Sequence, residues 1–134
     1  VPDYRPEEVG TDAAVAQPAT GTKFGVVVRH NDHSLSADRT KKNGGKGKGF
    51  TAEGLIMSAL ATAATQAIKD AGKKLALDDV HVSITQTGPA SFERRIELKG
   101  NLSASEESTL RSAAKDTDVE RMIGNVTIVD VDAH

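Results

Sequence analysis

Residue types that catalyse reactions or bind metals are sparse in this chain of 134 residues. It contains no cysteine, which excludes a thiol nucleophile, a disulfide and a cysteine-based zinc site. No serine lies in a Gly-x-Ser-x-Gly motif, so nothing indicates a serine hydrolase of that type. His30, Asp32 and His33 are close together in RHNDH, but a short polar run between two predicted strands is typical of a turn. We therefore predict no metal and no cofactor.

Two basic segments raise the question of anion binding. The stretch NGGKGKGFT, residues 43–51, lies between a predicted strand and a predicted helix, as phosphate-binding loops do, but it lacks the Walker spacing. A mobile, solvated loop is the simpler interpretation, and weak electrostatic contact with an anion is the alternative. Arg94 and Arg95 lie in FERRIELKG, where a charged strand face is the simpler interpretation and anion binding is again the alternative.

The longest element that the sequence predicts is a helix over residues 52–71. Thr51 is a suitable N-cap, Glu53 places a carboxylate in the first turn, and Gly72 suits the position after the last turn. Apolar residues recur every three or four positions, and SALATAATQA, residues 58–67, consists mostly of small ones. A helix that is apolar nearly all round belongs in a protein interior.

Antiparallel strand pairs and a second helix are predicted around this long helix. Alternating apolar and polar residues favour half-buried strands, and Ser103 with Glu106 forms a capping box. The predicted strands are 23–30, 34–39, 81–87, 92–100 and 125–131, with a second helix at 104–115 and a short helical turn in TDVERMIG. The order β-β-α-β-β-α-β predicts an α+β fold. We expect a loosely ordered N-terminal arm over 1–22 and a single domain over 23–134.

The charge balance argues against a polyanionic partner. Seventeen Lys and Arg residues face nineteen Asp and Glu residues, a net charge of −2, so we predict no nucleic-acid partner. No segment reaches the roughly 18–20 apolar residues of a membrane helix, so we predict no membrane association and, by default, a cytoplasmic location.

Three segments together carry a family resemblance: GKGKGFTAEGLIMSALATAA, FERRIELKG and TDVERMI. Over about residues 24–131 the chain resembles the OsmC/Ohr family of osmotically inducible and organic-hydroperoxide-resistance proteins. The resemblance implies an intertwined homodimer in which a curved antiparallel sheet wraps round the central helices. It also implies reduction of organic hydroperoxides by a peroxidatic cysteine on the long helix and a second, resolving cysteine, with a glutamate and an arginine that activate the thiolate.

The family's functional positions do not all carry the family's residues in this sequence. Glu53 matches the glutamate at the helix start, but Ala63 stands at the peroxidatic position and Thr117 at the resolving position. Asp118 replaces the family's proline, whereas Arg121 keeps the pattern of that segment. The catalytic arginine has no evident counterpart.

The resemblance therefore implies that the fold of the family is kept and that its two reactive cysteines are missing. We expect no thiol-dependent peroxidase activity, and instead a non-catalytic homodimer that is structural or binds an apolar small molecule along the helix face of Glu53, Leu60, Ala63 and Ala67. The alternative is a component of a hydroperoxide detoxification system that acts with a cysteine-bearing partner. A further alternative is an interaction module whose N-terminal arm and lysine-rich loop contact a partner or an anion.

Overall fold

The computed structural model describes residues 12–130 as an α+β protein with two antiparallel sheets and three α-helices. The elements are β1 (Ala14–Pro18), β2 (Val26–His30), β3 (His33–Ala37), a 3-10 turn (Lys41–Asn43), α1 (Ala52–Ala71), β4 (Leu77–Gly88), β5 (Ser91–Gly100), α2 (Ala104–Ala113) and α3 (Asp118–Gly124). The chain divides into two compact units, Val1–Ile56 and Met57–His134. No helix of the described residues is long and apolar enough to cross a membrane.

The first unit contains a three-stranded sheet in the order β1-β2-β3. The predicted hairpin is confirmed, with Arg29 opposite Ser34 and a tight turn at which Asn31 has a φ of 53°. β1 lies in the segment that the sequence predicted to be a loosely ordered arm, and it pairs with β2 from Ala14 opposite His30 onward. For residues 14–18 that prediction was therefore wrong, because β2 offers an edge to a segment whose own strand signal is weak. Residues 1–11 lie outside the described part of the chain.

A basic loop, defined here as residues 39–48, follows β3. Asp38 closes it, because the Asp38 carboxylate accepts hydrogen bonds from the backbone N–H groups of Arg39 at 2.7 Å and Lys46 at 3.0 Å. Across the loop, the Gly47 N–H donates to the Arg39 carbonyl at 3.1 Å. A Cβ at Gly45 would lie 2.1 Å from that same carbonyl oxygen, so only glycine fits there. The loop has a defined, hydrogen-bonded conformation where the sequence predicted a mobile one.

The second unit packs β4 and β5 against helices. The two strands form a long hairpin, with Val80 opposite Leu98 and Val82 opposite Ile96, and these four side chains are half-buried. They pack on a small core whose members are fully or almost fully buried: Ala64 and Ile68 of α1, and Leu110 and Ala114 at α2. α2 begins with the predicted capping box at Ser103.

α1 has the predicted limits, and its burial is one-sided in the single chain. Leu60, Ala64 and Ile68 are buried at four-residue steps, whereas Ile56 is 44% exposed. Gly72 follows the last residue of the helix as predicted, but it is not a left-handed cap. Its φ is not in the left-handed region; instead, a Cβ would lie 2.9 Å from the Leu77 side chain.

The predicted last strand at 125–131 is wrong over its described part. Residues 125–130 form no strand, and Val126, Ile128 and Val129 are 65%, 79% and 77% exposed. Their β-branched character favours a strand, but a strand also needs a partner edge, and none pairs with this segment in the described residues. Residue 131 lies outside them.

Candidate functional site

The start of α1 borders a cleft of about 610 Å³ within the first unit. Thr51 sets the start of the helix as predicted, since its hydroxyl accepts a hydrogen bond from the Gly54 N–H at 2.9 Å. Glu53 follows in the first turn, where the helix dipole favours its negative charge. The Glu53 side chain lines the cleft.

The cleft has an apolar side and a polar side. Phe24, Val26 and Ala37 supply the apolar surface, and the polar surface includes Arg39 and Glu53. Its volume lies in the range of small-molecule sites, and its lining is more polar than is usual for them.

Three charged groups at this cleft differ in how they are engaged. The Arg39 guanidinium lies 4.0 Å from the ring centroid of Phe24, a cation–π geometry. The hydrogen bond from the Lys46 backbone N–H holds the pKa of Asp38 below its usual value. The Asp38 carboxylate therefore stays ionised and is already engaged in holding the loop closed. The Glu53 carboxylate, by contrast, takes part in no hydrogen bond or ion pair with residues 12–130. It is the carboxylate that remains available to a ligand.

The other predicted ligand residues on α1 do not line this cleft. Leu60 is 7% exposed, and Ala63 and Ala67 are half-buried. Spacings of seven, three and four residues place them on the same face of the helix as Glu53. A shallower pocket of about 310 Å³ on α1 is lined by other residues, among them Ala61 and Gln66. A ligand role for Leu60, Ala63 and Ala67 stays a prediction.

Thr117 has a structural task at the start of α3. It is 9% exposed, and its hydroxyl accepts a hydrogen bond from the Glu120 N–H at 3.2 Å, which makes it the N-cap of the helix. The Glu120 carboxylate does not close a capping box with the Thr117 backbone. It binds the guanidinium of Arg94 on β5 instead, with the Arg94 side chain only 21% exposed.

Arg121 is engaged on the surface of α3. Its guanidinium donates to the carboxylates of Asp118 and Asp116. The hydrogen bond to Asp118 is the main cause of a raised Arg121 pKa, followed by the bond to Asp116. This arginine keeps the family pattern in the sequence, yet its donors are used by neighbouring acids of the same segment.

Comparisons with known proteins give a match at the level of structure alone. No family model and no curated protein matches the sequence. A putative osmotic stress induced and detoxification response protein from Psychrobacter arcticus 273-4 superposes with a TM-score of 0.65 at 16% identity, covering 78% of this chain and 88% of that one. An OsmC-like protein from Mycoplasma pneumoniae gives 0.63 at 16% identity, with coverages of 85% and 87%. This chain has an OsmC-like fold. An organic hydroperoxide resistance protein OsmC from Legionella pneumophila gives 0.53 at 20% identity, with coverages of 83% and 88%.

The OsmC-like fold brings together residues that the sequence analysis did not connect. Arg39 and Phe24 meet at the cleft although fifteen positions separate them, and no local pattern signals that contact. A signal for the Arg94–Glu120 pair did exist, because Arg94 shares the inward phase of β5 with Ile96. The N-cap of α3 could also have been predicted from the sequence, since Thr117 and Glu120 have the spacing of an N-terminal capping pattern.

Proposed function

We propose that this chain is a cysteine-less OsmC-like protein that binds a small molecule beside Glu53 and does not reduce peroxides. The observation that carries the proposal is the hydrogen bond that the Thr117 hydroxyl accepts at the start of α3. The buried hydroxyl at the position corresponding to the family's resolving cysteine holds the first turn of α3 in place, so the position has a structural use. Ala63, at the position corresponding to the peroxidatic cysteine, offers only a methyl group.

The chemistry of hydroperoxide reduction supports the negative half of the proposal. A thiolate must attack the peroxide oxygen, and the resulting sulfenic acid must condense with a second thiol. The chain contains no sulfur nucleophile, and its only sulfur atoms are the thioethers of two methionines. Glu53 therefore has no thiolate to orient or stabilise.

The cleft supports the positive half. An apolar molecule would cover Phe24, Val26 and Ala37, and a hydrogen-bond donor or cation on that molecule would meet the free Glu53 carboxylate. The same proposal includes assembly as a homodimer, which the exposed apolar side chains of Val126, Ile128 and Val129 favour. Light scattering on the purified chain measures that assembly.

Two measurements test the function. Consumption of an organic hydroperoxide, with dithiothreitol as reductant, should equal that of a protein-free blank; turnover above the blank contradicts the proposal. Native mass spectrometry and thermal shift against a panel of apolar amines should reveal binding that Glu53→Gln weakens. Glu107→Gln is the matched control, because Glu107 is also a first-turn glutamate, on α2. Absence of binding across the panel, or equal loss in both variants, refutes the Glu53 site.

A second candidate function follows from the comparisons. Structures of the same fold include proteins described as responding to osmotic stress or organic hydroperoxide. We propose as the alternative that the chain assists a cysteine-bearing partner in that response. Addition of this chain should then change the hydroperoxide turnover of such a partner, and an unchanged turnover at equimolar ratio refutes the alternative.

A further inference from the structure

The basic loop concentrates charge that the whole-chain balance conceals. Residues 39–48 contain five cations and no acid: Arg39, Lys41, Lys42, Lys46 and Lys48. Over residues 1–56, eight Lys and Arg residues face seven Asp and Glu residues, so the positive charge is concentrated in the loop and not spread over the first unit. The expectation of no nucleic-acid partner rested on the whole-chain charge and on the absence of an aromatic stacking platform in the sequence, and the charge argument does not hold for this loop.

The four lysines of the loop are exposed and lack ion-pair partners. Within residues 12–130, no carboxylate lies within salt-bridge distance of Lys41, Lys42, Lys46 or Lys48. Arg39 differs from them, because its guanidinium lies against the Phe24 ring. The loop therefore presents lysine ammonium groups to solvent.

Four backbone N–H groups of the loop donate hydrogen bonds to the protein itself. The N–H groups of Gly44, Gly45 and Gly47 donate to the carbonyls of Lys41, Thr40 and Arg39 respectively, and Lys46 donates to Asp38. A loop that cradles a single phosphate needs these amides free to point at the anion. In this loop these amides already donate to carbonyl and carboxylate groups of the protein. The side chains remain for binding, and spread lysines suit a chain of phosphates better than one phosphate group.

An exposed aromatic ring lies at the end of the loop. Phe50 is 48% exposed, yet its backbone is fixed, since its N–H donates to the Ser36 carbonyl at 3.1 Å and its carbonyl accepts from Asp38 at 2.9 Å. Proteins that bind single strands combine cations along the phosphates with aromatic rings on which bases stack. Duplex DNA keeps its bases stacked inside and offers no such face to Phe50.

We propose that the basic loop and Phe50 bind single-stranded nucleic acid, with the lysines on the phosphates and the Phe50 ring on a base. Because the loop is already held closed by its own hydrogen bonds, binding does not have to order its backbone, and this lowers the entropic cost of association. The site adjoins the cleft, because Arg39, Thr40 and Asn43 of the basic loop line it, but none of the four lysines does.

The test is fluorescence anisotropy of the full chain with a labelled oligothymidylate of about 15 nucleotides. Between about 50 and 200 mM salt, contacts by four lysines give a slope of log affinity on log salt near −3, since each phosphate contributes about −0.7. Replacement of Lys41, Lys42, Lys46 and Lys48 by glutamine should remove most of that slope. The control replaces Lys73, Lys74, Lys99 and Lys115, which are exposed in the second unit and change the net charge equally. Equal loss in the two quadruple variants overturns the proposal.

Phe50 gives a second, independent readout. Phe50→Ala should weaken the single strand by about fivefold or more, whereas Phe50→Tyr should bind as the parent protein does. Neither change should alter the weaker binding of a duplex of the same length. Competition by pyrophosphate at equal phosphate concentration, or binding to phosphatidylserine vesicles without binding to the oligonucleotide, would show another anion and refute the assignment.

Discussion

Replacement of Thr117 tests whether this residue, which the resemblance matches to the resolving cysteine of the OsmC/Ohr family, has a structural role. Alanine removes the hydroxyl that accepts the Glu120 N–H, a loss that costs about 1 kcal/mol at an N-cap. It also removes a methyl group from a side chain that is only 9% exposed, which adds about 0.8 kcal/mol. We therefore expect Thr117→Ala to lower the free energy of unfolding by about 2 kcal/mol.

Two further substitutions separate the two contributions. Thr117→Ser keeps the hydroxyl and loses the methyl group, so it should cost about 0.8 kcal/mol. Thr117→Val keeps the volume and loses the acceptor, so it should cost about 1 kcal/mol. Thr117→Cys should behave like the valine variant, because a thiol is a weak hydrogen-bond acceptor.

Urea unfolding followed by far-ultraviolet circular dichroism suits a chain that contains no tryptophan. The midpoint should shift at constant slope, which shows that stability and not compactness has changed. An alanine variant within about 0.3 kcal/mol of the parent would refute the capping argument. A cysteine variant as stable as the parent would contradict the structural role of the Thr117 hydroxyl.

Three further predictions concern stability. Ile68→Ala should cost about 2–5 kcal/mol in urea unfolding because Ile68 is fully buried, whereas the same change at Ile56, 44% exposed, should cost far less; similar losses would contradict the burial pattern. Ser103→Ala should cost about 1 kcal/mol through the capping box of α2, and Ser108→Ala within that helix should be nearly neutral, so equal effects would contradict the cap. Asp38 has a lowered pKa, so its stabilisation is present above about pH 4 and is lost as the pH falls through its folded-state pKa; the stability difference from Asp38→Asn should shrink on acidification, and a constant difference would contradict the linkage.

The long helix was predictable because several local signals agree. Thr51, Glu53 and the apolar periodicity mark its start and its course, and the structure gives the same limits. Its end was predicted correctly from Gly72 with an incomplete reason. The side chains of Leu77 and Leu110 crowd the place of a Cβ there, and a cap pattern does not report such tertiary contacts.

The errors at the two ends of the chain share one cause. β1 forms from a weak strand sequence because β2 provides an edge, whereas residues 125–130 have a strong strand sequence and no edge among the described residues. Strand formation depends on a partner that is remote in sequence, so local patterns predict it less well than a helix.

The candidate site was predictable only in part. Glu53, Ala63 and Thr117 came from the family resemblance, and the cap at Thr117 could also have been found from its spacing to Glu120. The contact of Arg39 with Phe24 depends on how the sheet and the basic loop meet, which the sequence does not specify locally.

The closed backbone of the basic loop also bears on proteolysis. The loop offers trypsin five Lys or Arg residues within ten positions, the densest run of such residues in the chain. A protease must draw a segment of several residues into an extended form, and here that requires release of the Asp38 bonds to Arg39 and Lys46. The segment whose composition most invites digestion should therefore be cleaved slowly in the native protein, and its cleavage rate should report on the opening of the loop.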